Sequence, residues 1–198
     1  MADRELLEPQ ERGFLFVVSA PAGTGKSTLV NRLLAEFPDR VQESCSCTTR
    51  TKRAGEVADK DYFFLSVEAF KQGIEEQDFL EYASVFGNYY GTRKKEVERI
   101  QNRGKNVVLV IDTQGALALM GKVEATFIFI TPPSLQVLRE RLVARNTESA
   151  EKIEERLSWA SQELAQVSHY DYHFVNDDLE VSYQILRSII IARQYQQV

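Results

Sequence analysis

The chain has 198 residues, of which 43% are hydrophobic and 27% are charged, and its formal net charge at pH 7 is -5. These values are typical of one soluble globular domain with a full core, and the chain is too short for two domains of average size. The negative net charge argues against a nucleic-acid-binding surface, which requires a basic stripe. No run of about 18 apolar residues occurs, so a membrane-spanning helix is excluded.

The two cysteines, Cys45 and Cys47, are separated by one residue. No second cysteine pair or histidine cluster accompanies them to complete a metal site, so we interpret them as reduced thiols. Residues 1–12 are polar and are predicted to form a loose arm, and charges interrupt them before the apolar core of a signal peptide can form. We therefore expect a cytoplasmic protein.

A glycine-rich segment lies between a predicted strand at residues 14–18 and a predicted helix that runs to about residue 37. The segment reads Ala20-Pro21-Ala22-Gly23-Thr24-Gly25-Lys26-Ser27, which is typical of a phosphate-binding P-loop. Gly23 and Gly25 permit the positive φ with which backbone N–H groups turn toward one anion. The helix N-terminus adds partial positive charge. We predict a phosphate site here.

Two side chains of the predicted P-loop have expected roles, and one residue departs from the pattern. Lys26 is expected to reach the terminal phosphates of a nucleotide, and the hydroxyl of Ser27 is expected to ligate Mg²⁺. Ala20 stands where the pattern has its first glycine. If the first turn requires a positive φ, Ala20 is mildly strained; otherwise the replacement is harmless.

The next segment, residues 48–56, mixes small hydroxyl residues with Arg50, Lys52 and Arg53. It is either a solvated basic loop or a second anion site, because the guanidinium fork of arginine matches phosphate oxygens. Short predicted strands at residues 62–65 and 79–85 then suggest an inserted β-rich lobe.

Two carboxylates in predicted strands are candidates for a site. Glu81 lies in a mostly apolar strand, where it faces either solvent or the interior. The apolar run at residues 106–112 predicts a strand buried on both faces, as in parallel sheets. It ends in Asp112, at the strand end where doubly wound sheets bind ligands, although Asp112 could instead cap the turn that follows.

A strand predicted at residues 126–130 is followed by two helices with arginines near their joint. These arginines are Arg139, Arg141, Arg145 and Arg156. They either pair with neighbouring glutamates or close over a phosphate chain. Together with two anion sites, this helical pair indicates phosphoryl transfer between two nucleotides.

These motifs, in this order, resemble the guanylate kinase family from about Phe14 to the C-terminal helix. The most specific piece is Thr48-Thr49-Arg50-Thr51-Lys52-Arg53-Ala54-Gly55-Glu56 followed by Asp61-Tyr62-Phe63-Phe64. Also similar are Gly87-Asn88-Tyr89-Tyr90-Gly91, Ile111-Asp112-x-Gln114-Gly115, Pro132-Pro133-Ser134 and Val175-Asn176-Asp177-Asp178.

The resemblance implies one α/β domain over residues 1–198: a P-loop parallel sheet flanked by helices, with an inserted β-rich GMP-binding lobe and a helical lid. The core would comprise residues 13–40, 93–131 and 168–198, the lobe about 41–92 and the lid about 132–167. The implied activity is transfer of the terminal phosphoryl group of ATP to GMP, and also to dGMP, with Mg²⁺. Expected partners are these nucleotides, without nucleic acid or membrane, for a monomer or small homo-oligomer.

The resemblance also implies roles for individual residues. The GMP site would comprise Ser46, Arg50, Arg53, Tyr62, Glu81, Tyr90, Thr92 and Asp112. The ATP site would comprise Ala20, Pro21, Ala22, Gly23, Thr24, Gly25, Lys26, Ser27, Thr28 and Asn176, with Ser27 as metal ligand. The catalytic residues would be Lys26, Arg141, Arg145 and Arg156.

The hydrogen-bonding groups of guanine explain why these residue types would surround the base. Its N1-H and exocyclic amine suit the carboxylate of Glu81, and its O6 suits the hydroxyl of Ser46 or Thr92. Adenine would leave Glu81 unpaired, and buried polar selection of this kind reaches roughly ten-thousandfold in favourable systems. No general base is required, because the attacking GMP phosphate is already an anion, so the work is positioning and charge neutralisation.

Two further departures from the family pattern are Asp59, where a glycine is usual, and Val110, where an acid is usual. Two other functions stay open. One is a guanylate-kinase-like domain that binds a partner without catalysis, and the other is a P-loop kinase for another nucleoside monophosphate.

Overall fold

The computed structural model describes residues 6–53, 55–85, 87–144 and 149–196. The strands are β1 (Leu15–Ser19), β2 (Val41–Glu43), β3 (Cys47–Thr48), β4 (Phe63–Phe64), β5 (Phe79–Val85), β6 (Asn88–Arg93), β7 (Asn106–Val110), β8 (Thr126–Thr131) and β9 (Tyr172–Val175). The helices are α1 (Lys26–Glu36), α2 (Val67–Glu75), α3 (Lys94–Gln101), α4 (Thr113–Leu119), α5 (Leu135–Ala144), α6 (Ala150–Leu164) and α7 (Leu179–Gln194), with a 3₁₀ turn at Val167–His169.

Five strands form a parallel main sheet in the order β2-β7-β1-β8-β9. Alternate residues of β1 point to opposite faces, so Phe16 and Val18 pack into a core cluster with residues of α1 and α7. Leu15 and Val17 pack on the other face with residues of α3 and α4. Helices thus cover both faces, which confirms the predicted α/β fold class and explains why the inner strands are continuously apolar.

A second sheet, in the order β4-β3-β6-β5, forms a small lobe beside the main one. Its core is aromatic: the rings of Phe70 and Phe79 stack with their centroids 4.3 Å apart. Strand β2, which starts at Val41, pairs with β7 in the main sheet and not with the strands of the lobe. The start of the inserted lobe at about residue 41 stays a prediction.

Helices α5 and α6 form a pair with its own apolar cluster, which includes Leu138, Leu142 and Leu157. The hydroxyl of Ser134 accepts a hydrogen bond from the backbone N–H of Val137 at 3.1 Å, which is the predicted N-terminal cap of α5. None of the helices in the described part of the chain has the length and apolar character that crossing a membrane requires.

The prediction of a loose N-terminal arm is wrong for the described residues around Leu7. The Leu7 side chain is only 1% exposed and belongs to the same cluster as Phe16. Arg40 donates from Nε to the Leu7 carbonyl at 3.2 Å. One apolar side chain anchors this segment, although the average composition of residues 1–12 is polar.

Candidate active site

The glycine-rich loop, residues 20–25, connects β1 to α1 at the carboxyl end of the main sheet. Gly23 and Gly25 adopt φ values of 95° and 101°, which other residues rarely adopt. Among the described residues, the only non-glycine positions with positive φ are Asp59 and Gln77. Ala20 is therefore not strained, and its replacement of the first glycine is harmless.

Gly25 has a second constraint, because a Cβ built there would lie 2.6 Å from Nδ2 of Asn176. That amide donates to the Thr24 carbonyl at 2.7 Å, and Asn176 is buried. Arg141, on α5, donates to the same Thr24 carbonyl at 3.2 Å and to the Asn176 carbonyl at 3.0 Å. The loop is thus held by Asn176, directly after β9, and by Arg141 of the helical pair.

Lys26, the first residue of α1, lies half-buried behind this loop. Burial lowers the pKa of Lys26, and the carboxylates of Glu163, Asp112 and Glu43 oppose that effect. Its Nζ donates to the Ile111 carbonyl at 3.3 Å. Helix α1 has no side-chain cap at its N-terminus, so no side chain competes there with an anion for the first N–H groups.

The arginines of the helical pair do not share one environment. Arg139 forms a bidentate ion pair with Glu154, with one N–O distance of 2.9 Å, so the pairing interpretation is correct for this residue. Arg141 instead contacts the glycine-rich loop, and Arg156 lines a cavity beside Lys26. Arg145 lies outside the described residues.

That cavity, of about 350 Å³, lies between the glycine-rich loop, α4 and α6, and we call it the large cavity because it is the larger of the two at this site. It is lined by Ala20, Ala22, Lys26, Val85, Asp112, Thr113, Gln114, Leu117, Arg156, Trp159, Gln162, Glu163 and Gln166. Glu163 accepts a hydrogen bond from the hydroxyl of Thr113 at 3.1 Å, and burial raises the pKa of Glu163. Sequence reasoning missed Glu163, although it lies two helical turns after Arg156 and so on the same side of α6.

A second cavity, of about 170 Å³, lies between the two sheets, and we call it the small cavity. It is lined by Lys26, Ser46, Tyr62, Glu81, Val85, Tyr90, Gly91, Val110, Ile111 and Asp112. Lys26, Val85 and Asp112 line both cavities, so the two spaces meet at a lysine and a carboxylate. Val110, where the family usually has an acid, adds an apolar wall.

Glu81 faces the interior, so the solvent-facing interpretation is wrong. The residue is 5% exposed, and the hydroxyl of Thr92 donates to its Oε1 at 2.7 Å. Burial, together with the smaller effect of the nearby Asp112, raises the pKa of Glu81 from 4.5 to about 7, against the lowering effect of the hydrogen bonds with Thr92. A Cβ added to Gly115 would lie 2.5 Å from Oε2, so the glycine leaves room for this carboxylate.

Asp112 has the capping role that its sequence position allowed. It is the N-cap of α4, and its Oδ1 accepts from the backbone N–H of Gly115 at 2.9 Å. The strand predicted to reach Asp112 ends at Val110, and the helix that follows was not predicted. The cap does not exclude a ligand role, because the residue lines both cavities.

In the loop that carries Arg50 and Arg53, an ion pair holds Arg50, so this arginine is not freely solvated. Arg50 forms two hydrogen bonds to Glu56, at 2.7 and 3.1 Å, and its Cζ lies 5.4 Å from the centroid of the Tyr62 ring. Arg53 is exposed, and its backbone N–H donates to Glu56 at 2.7 Å. Asp59, at the usual glycine position, has a φ of 64°, which explains why glycine suits that turn.

The predicted site residues thus fall into groups. Ser46, Tyr62, Glu81, Tyr90 and Asp112 line the small cavity. Thr92 lies behind them and donates to Glu81, Arg50 lies beside Tyr62, and the Arg53 side chain is exposed on the same loop as Arg50.

Comparisons with known proteins agree with this geometry. The sequence model described as Guanylate kinase matches residues 12–193. A guanylate kinase of Protochlamydia amoebophila is 54% identical over 93% of both chains, and one of Chlamydia trachomatis serovar D is 49% identical over 91% of this chain and 88% of its own. The crystal structure of guanylate kinase from Anaplasma phagocytophilum superposes with a TM-score of 0.78, at 34% identity, over 96% of this chain and 90% of its own. The chain therefore belongs to the guanylate kinase family.

Proposed function

We propose that this chain transfers the terminal phosphoryl group of ATP to GMP or dGMP, giving ADP and the nucleoside diphosphate, as a cytoplasmic enzyme of purine nucleotide metabolism. The observation that carries the proposal is the buried carboxylate of Glu81 in a small cavity that meets the large cavity at Lys26 and Asp112. Two ligands placed in the two cavities would have their reacting phosphates near the same lysine.

Recognition of the guanine base is assigned to the small cavity. The Glu81 carboxylate accepts from Thr92 through one oxygen, and its remaining acceptor sites match the N1-H and the exocyclic amine of guanine. The hydroxyl of Ser46, on the same cavity wall, is suited to donate to O6. Adenine has an acceptor at N1 and would leave Glu81 buried without these partners, which disfavours AMP.

The phosphate of GMP is assigned to Arg50, Arg53, Tyr62 and Tyr90. The rings of Tyr62 and Tyr90 lie 6.1 Å apart at the cavity wall, and Arg50 packs over Tyr62. Phosphate oxygens accept hydrogen bonds well from guanidinium and phenol groups. This cluster therefore offers donors for the phosphate, whereas Glu81 offers acceptors for the base.

The donor nucleotide, ATP, is assigned to the P-loop, residues 20–28, and Asn176 is assigned to its adenine. The backbone N–H groups of the loop, the N-terminus of α1 and Lys26 would surround its phosphates. The described residues contain no group of three or more His, Cys, Asp or Glu side chains that could hold a metal by themselves. Mg²⁺ typically binds one or two protein oxygens together with substrate phosphates, and the protein ligand is assigned to the hydroxyl of Ser27. Bound there, Mg²⁺ would neutralise phosphate charge.

Neutralisation of the remaining negative charge on the phosphates is assigned to Arg141, Arg145 and Arg156. Arg141 already touches the loop through the Thr24 carbonyl, so small movements of α5 would bring it to a bound phosphate. The side chains supply no base, because the acceptor phosphate is ionised before it attacks. Closure of the helical lid would exclude water as a competing acceptor.

The direct test is a coupled assay of ADP release with GMP, dGMP, AMP, UMP and CMP, each with and without Mg²⁺. We expect turnover of GMP and dGMP, strong dependence on Mg²⁺, and at least 1000-fold lower kcat/KM for AMP, since buried polar selection reaches roughly that range. Equal turnover of AMP would refute the base assignment, and no turnover of any acceptor would favour a non-catalytic binding domain. Light scattering of the same sample tests the proposed monomer or small homo-oligomer.

The assignment of the two nucleotides is tested by Arg53→Ala. Arg53 is exposed on the loop that faces the acceptor, so we expect about tenfold or larger weakening of GMP with an unchanged KM for ATP. A variant that instead lost affinity for ATP would show that the two sites have been exchanged.

A further inference from the structure

Glu56 is an acidic residue in the loop to which the proposed function assigns an anionic ligand. We propose that Glu56 is a positioning residue for the acceptor phosphate: its carboxylate fixes the guanidinium of Arg50 so that the opposite edge of the fork receives GMP. The inference rests on the proposed function, because it takes Arg50 to bind the phosphate of GMP.

The Glu56 carboxylate is fully engaged. Its Oε1 accepts from Nη2 of Arg50 at 2.7 Å, and its Oε2 accepts from Nη1 at 3.1 Å. Oε2 also accepts from the backbone N–H of Arg53 at 2.7 Å. The side chains of Arg50 and Glu56 are only 13% and 19% exposed, so solvent screens this pair less than the other surface ion pairs. One carboxylate therefore joins both arginines of the loop.

The donors of Arg50 separate into two edges. A guanidinium has five N–H groups. Glu56 takes one from each terminal nitrogen, and the Thr51 carbonyl takes another from Nη1 at 2.8 Å. The other two, on Nε and Nη2, lie on one edge of the plane and have the spacing that matches two oxygens of a phosphate. Tyr90 also hydrogen-bonds to Arg50, so it would share this edge with a bound phosphate.

The environment of Arg50 connects this edge to the small cavity. The pKa of Arg50 is raised, first by the hydrogen bond to Glu56 and also by a hydrogen bond to Tyr90, against the lowering effect of burial. Tyr90 lines the small cavity, and Tyr62 packs against the face of the guanidinium. The guanidinium thus links Glu56 directly to the residues assigned to the phosphate.

Competition is the alternative role, in which the incoming phosphate displaces Glu56. Displacement would break two hydrogen bonds to Arg50 and release the Arg53 backbone at the same time, which would disorder the loop that binds. Holding Glu56 in place keeps these hydrogen bonds, because a guanidinium can pair with two anions on two edges. The geometry therefore favours positioning.

The experiment is calorimetric titration of wild type and Glu56→Gln with GMP, with guanosine and with ATP. The glutamine keeps the size of the side chain but presents one N–H group to the Arg50 fork, so the fork is no longer held at two points. We expect the Kd for GMP to rise about tenfold or more. Guanosine lacks the phosphate, so its Kd should stay within about twofold, as should that of ATP.

A matched control is Glu96→Gln. Glu96 also forms a bidentate pair, with Nε and Nη2 of Arg99 at 2.9 and 2.7 Å. It lies on α3 and lines neither cavity, so its replacement should leave the binding of GMP unchanged.

The outcomes separate the alternatives. Wild-type affinity for GMP in Glu56→Gln would overturn the inference, and tighter binding would show competition instead of positioning. Parallel loss of guanosine binding would show that Glu56 merely holds the lobe together, which also overturns it. If wild type itself failed to bind GMP, the proposed function would fall with it, and the two failures are thus distinguishable.

Discussion

Replacement of Glu81 by glutamine is expected to raise the stability of the protein while it lowers its activity. The carboxylate is buried and its pKa is raised from 4.5 to about 7 in the folded state. A raised pKa means that the folded protein holds this proton more tightly than the unfolded chain, so its stability falls as the pH rises from 4.5 to 7. Above that range the cost is about 3 kcal/mol.

Glutamine does not titrate, so Glu81→Gln should be free of this cost. The variant loses a charged hydrogen bond from Thr92 and keeps a neutral one, which offsets about 1 kcal/mol of the gain. We expect its free energy of unfolding, measured by urea titration, to exceed that of wild type by about 2 kcal/mol at pH 8. At pH 5 most of this advantage should disappear.

The catalytic effect of the same substitution has the opposite sign. The amide keeps one acceptor but places an N–H group against a guanine donor, so about 2 to 4 kcal/mol of recognition is lost. In the coupled assay, kcat/KM for GMP should fall by roughly 30- to 1000-fold while the KM for ATP is unchanged. Since only the ionised carboxylate accepts from both guanine donors, the affinity of wild type for guanosine should weaken about tenfold for each pH unit below 7.

Either of two results would refute this reasoning. Wild-type kcat/KM for GMP in Glu81→Gln would mean that the base does not contact this carboxylate. A stability difference that did not change between pH 5 and pH 8 would mean that the carboxylate is not desolvated. Guanosine is the preferred ligand for the pH series, because the phosphate of GMP titrates near pH 6 and would obscure the result.

Two matched pairs of variants test the donor side. Arg141→Ala should lower kcat/KM for the reaction by about 100-fold or more with GMP binding retained, whereas Arg139→Ala, which removes an exposed ion pair, should be near wild type; equal loss in both would mean that the arginines act through general charge. Gly25→Ala should lower the free energy of unfolding by about 2 kcal/mol and weaken the binding of ATP, because the added Cβ would meet Asn176 and the φ of Gly25 is positive. Gly121 also has a positive φ, of 74°, but a Cβ there would meet nothing within 4 Å. In thermal unfolding, Gly121→Ala should therefore lose only about 1 kcal/mol of stability, and its affinity for ATP should be that of wild type.

Local sequence determined the parts of the protein that depend on nearest neighbours. Gly23 and Gly25, between an apolar strand and a helix, predicted the loop and its positive φ values before any tertiary contact was known. Likewise, the apolar run at residues 106–112 predicted a strand buried on both faces, and the observed strand covers Asn106–Val110 of it. Backbone conformation and strand burial are encoded within a few consecutive residues, so they can be predicted from sequence.

Side-chain environments could not be predicted in this way, because they depend on residues far away along the chain. The sequence left Glu81 equally able to face solvent or interior, and only pairing of β5 with β6 places it against Thr92. Arg139 and Arg141 are near neighbours on one helix, yet the first meets Glu154 and the second meets Thr24. The sequence alone thus determined the fold class, the glycine-rich loop and the chemical types of the site, whereas the tertiary structure decided which charges are desolvated and which are paired, because burial is a property of the packed whole.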